Sequence, residues 1–532
     1  MAVYLLLAAA VILACIIFNR ISHKLGVPVL LAFILLGMFF GSDGVVKIPF
    51  DDFSFAGQIC STALIFIMFY GGFGTKWKTA KPVAVQSILL STLGVIMTAG
   101  LTGLFCHIAL NIGWLESLLI GSVVSSTDAA SVFSILRSKR LNLKDHTASM
   151  LEMESGSNDP FAYMLMVLLL SVMTGTATGG DIAYMLFAQI VYGLAFGVII
   201  AASASWVLKR ANFGTAGFDA IFVLAVALCA YAVPAALGGN GYLSAYIVGI
   251  VLGNRSIKNK QSLVHFFDGV TGLMQMLIFF LLGLLSFPSK LPQVLLPALF
   301  IALFLTFVAR PLSVFAILSP LKCGRNQQML VSWAGLRGAA SIVFAITAAL
   351  NTGFVSNDVF SIVFCVVLFS ISVQGTLLPL AAKRLHMIDA DADVLKTFTD
   401  YADEVPVRFI QLKIPAQHPW ADKAVRDIQL PPDTILAVLI RGKERMTPNG
   451  SSVLRAGDKL ILSAKAPVET EGIWLTELQV DKDSGWAGKS ISEIAMERGK
   501  LIVMVKRKDK IIIPKGDTVL EEDDMLVINQ AQ

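Results

Sequence analysis

Long apolar runs dominate residues 1–382 and stop there. A helix needs about 20 mainly apolar residues to cross the ~30 Å hydrocarbon core of a bilayer, and thirteen runs approach or reach that length. The ninth run is short. The pattern predicts an all-α polytopic membrane domain with spans at 2–18, 26–41, 54–73, 83–107, 114–136, 147–173, 183–208, 216–236, 241–253, 264–286, 294–318, 328–350 and 356–381.

Residues 383–532 have a different pattern, with short apolar stretches between polar turns. They carry 46 charged residues in 150 positions, against 33 in the 382 positions before them. We therefore expect a membrane domain followed by a soluble tail. This composition excludes a wholly soluble enzyme, a disordered chain and a protein that binds a nucleic acid polymer through bulk charge.

Basic residues are concentrated in alternate loops of the membrane domain. The loops after odd-numbered spans hold sixteen Lys and Arg residues, whereas the loops after even-numbered spans hold two, Lys47 and Lys290. Because basic loops stay on the cytoplasmic side, the N-terminus is predicted to lie outside and the tail in the cytoplasm. A multi-pass protein of the cell (inner) membrane is expected.

The tail contains two copies of one unit, related by a shift of 66 residues that aligns Trp420 with Trp486 and Asp458 with Asp524. Each copy is predicted to be a small α/β module. Its predicted elements are an amphipathic helix (Lys423–Leu430; Lys489–Arg498), a strand (Ile435–Ile440; Leu501–Lys506) and a last strand (Lys459–Ser463; Met525–Asn529). The predicted domains are the membrane domain 1–382, a linker 383–404, a first module 405–466 and a second module 467–532.

Several predicted spans contain ionisable residues: Asp128 in the fifth, Glu154 and Asp159 in the sixth, Arg310 in the eleventh and Arg337 in the twelfth. A charge at mid-bilayer is costly unless it is paired or hydrated, so each is a candidate for function. The alternative for Asp128 or Arg310 alone is a structural ion pair. Three polar-centred, glycine-rich spans in one bundle are harder to explain by packing.

The polar residues of the sixth span recur at helical spacing. Glu154 and Asn158 are four residues apart, as are Ser155 and Asp159, so the two pairs lie on adjoining faces of one helix. Hard oxygen ligands of this kind suit an alkali cation or a proton.

Small residues surround Asp128 and Arg337, and such segments tolerate an unwound backbone. The fifth and twelfth spans are seven apart and are predicted to cross the membrane in opposite directions. This is the arrangement of inverted repeats whose two broken helices cross at mid-membrane beside a small ion.

Three motifs resemble those of the monovalent cation:proton antiporters, in the branch of the electroneutral sodium/proton and potassium/proton exchangers. They are Thr127-Asp128, the run Glu154-Ser-Gly-Ser-Asn158-Asp159-Pro, and the run Gly335-Leu-Arg337-Gly-Ala. The resemblance covers residues 1–382. One departure is Ala-Ala-Ser at 339–341, where many relatives have Ala-Val-Pro.

The resemblance implies a secondary active antiporter in which Asp159 binds cation and proton in competition. Thr127, Asp128 and Ser155 are implied as supporting ligands for K⁺ or Na⁺. Glu154 and Arg337 are implied to form a buried pair bridged by Asn158. Electrogenic relatives have Asp-Asp where this chain has Asn158-Asp159, so the resemblance implies electroneutral exchange.

Each tail copy resembles the TrkA-C (RCK C-terminal) module of proteins that regulate potassium conductance. Their usual companion, a Rossmann domain with GxGxxG, has no counterpart in the sequence, so NAD or ATP regulation is not expected. Because two copies in one chain can pair with each other or with those of a second subunit, we expect a homodimer. The resemblance also implies a small anionic regulator such as cyclic di-AMP. Arg441, Lys443 and Arg445 are candidate contacts for it; the alternatives are a solvated hairpin and a cap without ligand.

These observations favour exchange of cytoplasmic K⁺ (or Na⁺) for H⁺, with K⁺ preferred because the tail resembles potassium-system regulators. One alternative is a Na⁺/H⁺ antiporter with a purely structural tail. A potassium channel subunit would need a filter such as TVGYG, and the chain has none. We find no nucleophile–base set for a membrane enzyme and expect no cofactor.

Overall fold

The computed structural model of the chain divides into two compact units, Met1–Ala402 and Asp403–Gln532, which are described separately. The structure describes residues 2–25, 28–139, 141–175, 178–210, 217–255, 257, 260–350, 358–389, 407–415, 417–431, 434–442, 444–465, 475–480, 486–494, 500–507, 510–512 and 514–530.

In the residues that the structure describes, the first unit is helical apart from its loops and an isolated bridge between Leu143 and Ile388. Its helices are α1 Ala2–Leu25, α2 Val29–Phe40, α3 Phe53–Gly74, α4 Trp77–Leu110, α5 Trp114–Val123, α6 Ala129–Ser138, α7 Thr147–Met173, α8 Gly179–Arg210, α9 Phe218–Ala236, α10 Gly241–Gly253, α11 Lys260–Leu285, α12 Leu291–Leu318, α13 Arg325–Trp333, α14 Ala339–Ala349 and α15 Val359–Arg384. Helices α4, α12 and α15 each contain a π segment, at Leu90–Gly94, Leu305–Ala309 and Ser370–Gly375.

Each predicted span falls on one helix or, for the fifth and twelfth, on two helices separated by a break. Among the described residues, eight helices are long and apolar enough to cross a membrane alone. This confirms the helical membrane domain and its two broken helices. The count of thirteen spans stays a prediction.

Side chains define several helix starts. Asp52 accepts a hydrogen bond from the Phe55 N–H at the start of α3, and Asn240 accepts one from the Leu243 N–H at the start of α10. These caps satisfy amide groups that the first helical turn leaves without partners.

Glycines bring two helix pairs into backbone contact. A Cβ on Gly37 of α2 would lie 2.1 Å from the Phe280 carbonyl oxygen of α11. A Cβ on Gly249 of α10 would lie 2.1 Å from the Phe69 carbonyl oxygen of α3. Only a residue without a side chain fits at these crossings.

The second unit contains two four-stranded antiparallel sheets with the same order, β1-β4-β2-β3 and β5-β8-β6-β7. The strands are β1 Val407–Lys413, β2 Thr434–Arg441, β3 Glu444–Met446, β4 Lys459–Lys465, β5 Leu475–Gln479, β6 Lys500–Arg507, β7 Lys510–Ile512 and β8 Met525–Gln530. Even the irregularities repeat: β2 is bulged between Leu436 and Val438, and β6 between Ile502 and Met504.

The predicted amphipathic helices of the tail were wrong. Short 3₁₀ turns, Val425–Asp427 and Ile491–Glu493, lie there instead, although 495–498 of the second prediction fall outside the described residues. The physical reason is that the backbone bonds across to a facing loop: the Val425 N–H donates to the Ser452 carbonyl, and Lys423 accepts from the Leu454 N–H.

A buried aspartate anchors each sheet. Asp458 accepts hydrogen bonds from Arg441 Nε at 2.9 Å and Nη2 at 2.7 Å, and Asp524 accepts the matching pair from Arg507 at 2.8 Å each. The hydrogen bonds from Arg441 hold the pKa of the Asp458 carboxyl below its usual range. For Asp524, burial opposes the shift, yet the hydrogen bonds from Arg507 leave its pKa lowered as well.

Candidate functional site

The breaks in the two interrupted helices lie against each other. Residues 124–128 separate α5 from α6, and residues 334–338 separate α13 from α14. The Asp128 N–H donates to the Leu336 carbonyl at 2.7 Å, and Arg337 Nη1 donates to the carbonyls of Ser125 at 2.8 Å and Ser126 at 2.7 Å. These contacts give partners to backbone groups that the breaks leave outside a helix.

Asp159 is a buried residue in the middle of α7, with 5% of its surface exposed. Ser126, in the break between α5 and α6, donates a hydrogen bond from its hydroxyl to Asp159 Oδ1. Ser126 was not predicted from the sequence as a site residue. Its position next to Thr127-Asp128 was the available signal, because an unwound segment can turn consecutive side chains towards one centre.

Asp128 lies at the start of α6. Its carboxylate accepts hydrogen bonds from the N–H of Ser131, at 3.1 Å, and from the hydroxyl of the same residue. A Cβ on Gly338 would lie 2.0 Å from Asp128 Oδ2, so the glycine of the second break makes room for this carboxylate. The structure therefore brings Asp128 to the crossing of the two broken helices.

Hydrogen bonds attach α7 to the first break. The Ser155 hydroxyl donates to the Thr127 carbonyl at 2.7 Å and accepts the Ala129 N–H at 2.9 Å. Asn158 Nδ2 donates to Thr127 Oγ1 at 2.5 Å. Thr127, Ser155 and Asn158 thus hold Asp128 and Asp159 in one region.

The predicted pairing of Glu154 with Arg337 needs correction. Arg310 Nη2 lies 2.6 Å from Glu154 Oε1, and both side chains are almost fully buried. The contact is an ion pair without the alignment of a linear hydrogen bond. Arg310, a secondary candidate from sequence, therefore takes the place predicted for Arg337. The physical reason is that Arg337 directs Nη1 to backbone carbonyls of the break, while Asn158 bonds to Thr127.

A cavity of about 540 Å³ lies beside the carboxylates. Thr127, Asp128, Ser155 and Asp159 line it, together with Ser126. The other residues lining it are Leu64, Ile67, Met68, Tyr70, Gly71, Gly74, Ala129, Ala130, Phe133, Ser134, Glu152, Gly156, Asp268, Thr271, Gly272, Gln275, Ala339 and Ala340. The two aspartates therefore border a space large enough for a small ion, whereas Glu154, Asn158, Arg310 and Arg337 are not among the residues that line it.

The tail candidates are placed only in part. Arg441 uses its guanidinium on Asp458 and on the Val453 carbonyl, which is a structural role. Lys443 lies outside the described residues, as does the side chain of Arg445.

Family models match nearly the whole chain. The model described as sodium/hydrogen exchanger, transmembrane, matches residues 8–384. The TrkA-C domain model matches twice in the tail, at residues 409–468 and 475–528.

Curated relatives include the K(+)/H(+) antiporter NhaP2 of Shewanella sp. strain ANA-3, which is 33% identical over 465 residues, or 86% of this chain and 80% of the relative. The K(+)/H(+) antiporter NhaP of Alkalimonas amylolytica is 32% identical over 467 residues, covering 87% and 81%. The probable Na(+)/H(+) antiporter 2 of Methanocaldococcus jannaschii is 26% identical over 313 residues, covering 56% and 73%.

The fold is similar to that of a solved antiporter. The sodium proton antiporter MjNhaP1 from Methanocaldococcus jannaschii superposes with a TM-score of 0.63 at 22% identity, over 70% of this chain and 99% of that one. With two carboxylates lining one cavity at a crossing of broken helices, this chain belongs to the sodium/hydrogen exchanger family, and it is a cation/proton antiporter with two TrkA-C domains in its tail.

Proposed function

We propose that the protein exchanges one cytoplasmic K⁺ for one H⁺ at Asp159, with Na⁺ as the alternative cation. The observation that carries the proposal is that Asp159 and Asp128 line the same cavity at the crossing. A carboxylate there binds either a proton or a cation, and competition between the two couples their transport. Asp128, Thr127, Ser155 and Ser126 surround it with oxygen atoms, the ligands that alkali cations prefer.

Two associations support K⁺ as the cation. The Shewanella and Alkalimonas relatives are named K(+)/H(+) antiporters. The tail carries modules of a class found in potassium-system regulators. The archaeal relative is named a probable Na(+)/H(+) antiporter, which keeps Na⁺ as the second candidate.

Electroneutral exchange is supported by the residue beside Asp159. Asn158 adds no second carboxylate, and its amide donates to Thr127. In this proposal Asp159 is the group that takes up one proton for each cation released, and Asp128 serves only as a cation ligand. In this proposal Glu154 and Arg310 stabilise the core as a compensated pair and bind no ion.

The proposed orientation places the N-terminus outside and the tail in the cytoplasm, because of the basic loops. The cavity walls then include the cytoplasmic end of α3, where Tyr70 and Gly74 precede Lys76. They also include Glu152 near the start of α7. This orientation corresponds to an inward-facing state in which cytoplasmic cations reach Asp159.

We further propose that residues 1–382 transport ions and that residues 383–404 link this membrane domain to the tail. The modules 405–466 and 467–532 regulate transport, and the protein is a homodimer. A ligand that binds the modules can shift the inward–outward equilibrium only by its difference in affinity for the two states. The candidate ligand is a small anion such as a cyclic dinucleotide; Lys443 and Arg445 remain candidates to contact it.

The test is a dye-based exchange assay in everted vesicles with K⁺, Na⁺, Li⁺ and Rb⁺ across pH, repeated in proteoliposomes with a potential-sensitive dye. We expect K⁺ to dissipate the proton gradient at the lowest concentration, with no change in membrane potential. Preference for Na⁺ would select the alternative cation. Cation movement without proton movement would overturn antiport, and a transport-driven potential would overturn electroneutrality.

A further inference from the structure

The segment that follows the last membrane helix pairs with the loop that joins α6 to α7. Residues 385–389, which we call the exit segment, lie beside residues 141–146, the α6–α7 loop. Leu143 of the loop faces Ile388 of the exit segment in an antiparallel β-bridge. Because the chain continues from the exit segment to the tail, the loop contacts the point from which the tail extends.

Two backbone hydrogen bonds close this bridge. The Lys144 N–H donates to the Met387 carbonyl at 2.9 Å, and the Asp389 N–H donates to the Asn142 carbonyl at 3.0 Å. They run in opposite directions on either side of the facing residues. This is the pattern of a non-hydrogen-bonded antiparallel pair, whose Cα atoms lie about 4.5 Å apart.

Apolar side chains hold both sides of the bridge in one core. Leu143 is 6% exposed and Met387 is 4% exposed. Both belong to a buried cluster that also contains Val132 of α6, Leu151 of α7 and Ala382 of α15. Since burial of apolar surface is favourable, packing stabilises the bridge together with its hydrogen bonds.

The α6–α7 loop connects the two helices that place the site aspartates. Asp128 immediately precedes α6, and Asp159 lies in the middle of α7. Gln327 of α13, the helix that ends at the second break, donates from Nε2 to the Asp145 carbonyl at 3.0 Å and to Thr147 Oγ1 at 3.1 Å. A displacement of the loop is therefore transmitted to three helices that build the crossing, because helices are stiff elements.

We propose that this bridge couples the tail to the ion site. A tail that changes its position moves the exit segment, and the α6–α7 loop passes the displacement to Asp128 and Asp159. The inference rests on the proposed function, in which the tail regulates transport, and it names the contact that carries the regulation. The bridge is formed in the inward-facing state proposed above and therefore stabilises that state. Since coupling between sites is reciprocal, a cation bound at Asp159 also affects the bridge and the tail.

Loosening the bridge is expected to raise the KM for cytoplasmic K⁺. Asp389→Pro removes the N–H that bonds to Asn142, whereas Asp389→Ala removes the same side chain and keeps the N–H. One backbone hydrogen bond shifts an equilibrium about two- to tenfold. Because a smaller fraction of the protein is then inward-facing, the KM of Asp389→Pro should exceed that of Asp389→Ala by about this factor. Exchange by the full-length chain in everted vesicles measures both values.

Locking the bridge is the opposite test. A Cα separation of about 4.5 Å lies within the range of about 4.4–6.8 Å that a disulfide spans, so Leu143→Cys with Ile388→Cys should crosslink on oxidation. Hydrogen–deuterium exchange of this full-length variant is compared in K⁺ and in choline. Before oxidation, K⁺ should change amide exchange at Lys144, at Asp389 and in the tail strands by about fivefold or more, as typical coupling does. After oxidation the response of the tail should disappear, and a reductant should restore it.

Two sets of controls accompany the crosslink. Leu143→Cys and Ile388→Cys as single variants show any effect of oxidation on the six native cysteines. Adding Asp159→Asn should remove the response of bridge and tail alike, because the cation then has no site; a response that persists would come from salt acting elsewhere and would count against the coupling.

The outcomes separate the coupling from the proposed function. If the unaltered protein performs no cation/proton exchange, the proposed function fails. If it exchanges ions while the tail ignores K⁺, or while the tail responds equally with the bridge locked, the coupling is overturned and antiport stands. An Asp389→Pro variant with the KM of Asp389→Ala would overturn it as well. Should the disulfide fail to form, this pair of variants decides.

Discussion

Two kinds of buried carboxylate occur in this protein, one in the tail modules and one at the helix crossing. In the tail, Asp458 accepts two hydrogen bonds from Arg441 and a third from the Arg455 N–H. At the crossing, Asp159 accepts one hydrogen bond from described residues, from the Ser126 hydroxyl, and lines a cavity.

The difference separates a structural carboxylate from one available to a ligand. A carboxylate offers about four acceptor positions, and those of Asp458 are largely filled by the protein. Asp159 keeps acceptor positions free and has room beside them. Burial alone therefore does not identify an ion site; burial with unfilled acceptor positions beside a cavity does.

The sharpest test of this comparison is Asp159→Asn. We expect cation/proton exchange to fall to background, because an amide neither releases a proton nor neutralises a cation. Membrane insertion should be retained, since the amide still accepts from Ser126. Everted-vesicle assays check the activity, with Asp181→Asn, an exposed acid at the start of α8, as the control. Wild-type exchange by a well-inserted Asp159→Asn protein would remove Asp159 from the ion site.

Arg310→Ala is expected to have the next largest effect, on stability. Breaking a buried ion pair costs about 3–5 kcal/mol because it leaves the partner charge uncompensated. Adding Glu154→Gln should restore part of the loss. Arg337→Ala should also destabilise, through its carbonyl contacts, but Glu154→Gln should not rescue it. Melting temperatures in detergent measure the stability of each single variant and of its combination with Glu154→Gln. If Glu154→Gln rescued Arg337→Ala and not Arg310→Ala, the ion-pair partner of Glu154 would be Arg337.

A smaller effect is expected for Asp458→Asn, of about 1–3 kcal/mol, through its charged hydrogen bonds. The pKa of Asp458 is lowered by folding, so its contribution is present above the unfolded pKa of about 3.9 and is lost as pH falls through the folded pKa. The variant should therefore differ from wild type at pH 7 and converge with it in acid.

Pulse proteolysis of the full-length protein over a urea series, reading the tail fragments, measures this difference. Asp427→Asn serves as the control, because 60% of the Asp427 side chain is exposed. A constant difference from pH 7 to pH 3 would contradict the structural role of the Asp458 charge.

Deleting residues 400–532 should affect ion exchange least. Every oxygen proposed for the cation lies in the membrane unit, so exchange should persist, while its dependence on pH, cation concentration or added nucleotide should change. Transport in everted vesicles, with calorimetry of the full-length protein against cyclic dinucleotides, is the measurement. If exchange by the truncated protein kept the wild-type dependence on pH and cation concentration, and the full-length protein bound no nucleotide, the tail would be a structural cap.

Much of the fold could be predicted because hydrophobic length and repetition are local properties. The apolar runs located the helices, and small residues around Asp128 and Arg337 indicated the two breaks. The 66-residue repeat correctly predicted two equivalent modules. Strand β1 was not predicted, although its alternation of apolar and polar residues is visible in the sequence. The 3₁₀ turns were mistaken for helices because their backbone hydrogen-bond partners lie in a loop that is distant in the sequence.

The partner of Glu154 could not be predicted from spacing. Arg310 and Arg337 are both buried arginines next to small or proline residues, and only the crossing geometry decides which one meets the carboxylate. The same limit applies to the cavity, which is formed by residues from several segments that are distant in the sequence.

The glycine crossings have a mechanical consequence. Where backbones touch, as where Gly37 of α2 meets α11 and Gly249 of α10 meets α3, sliding by a fraction of an ångström meets steep steric repulsion. The two helices of each pair therefore move together as one rigid body. Deformation of the helix bundle concentrates instead where empty volume separates the helices, which places the most compliant part of the membrane unit around its two cavity-lining aspartates.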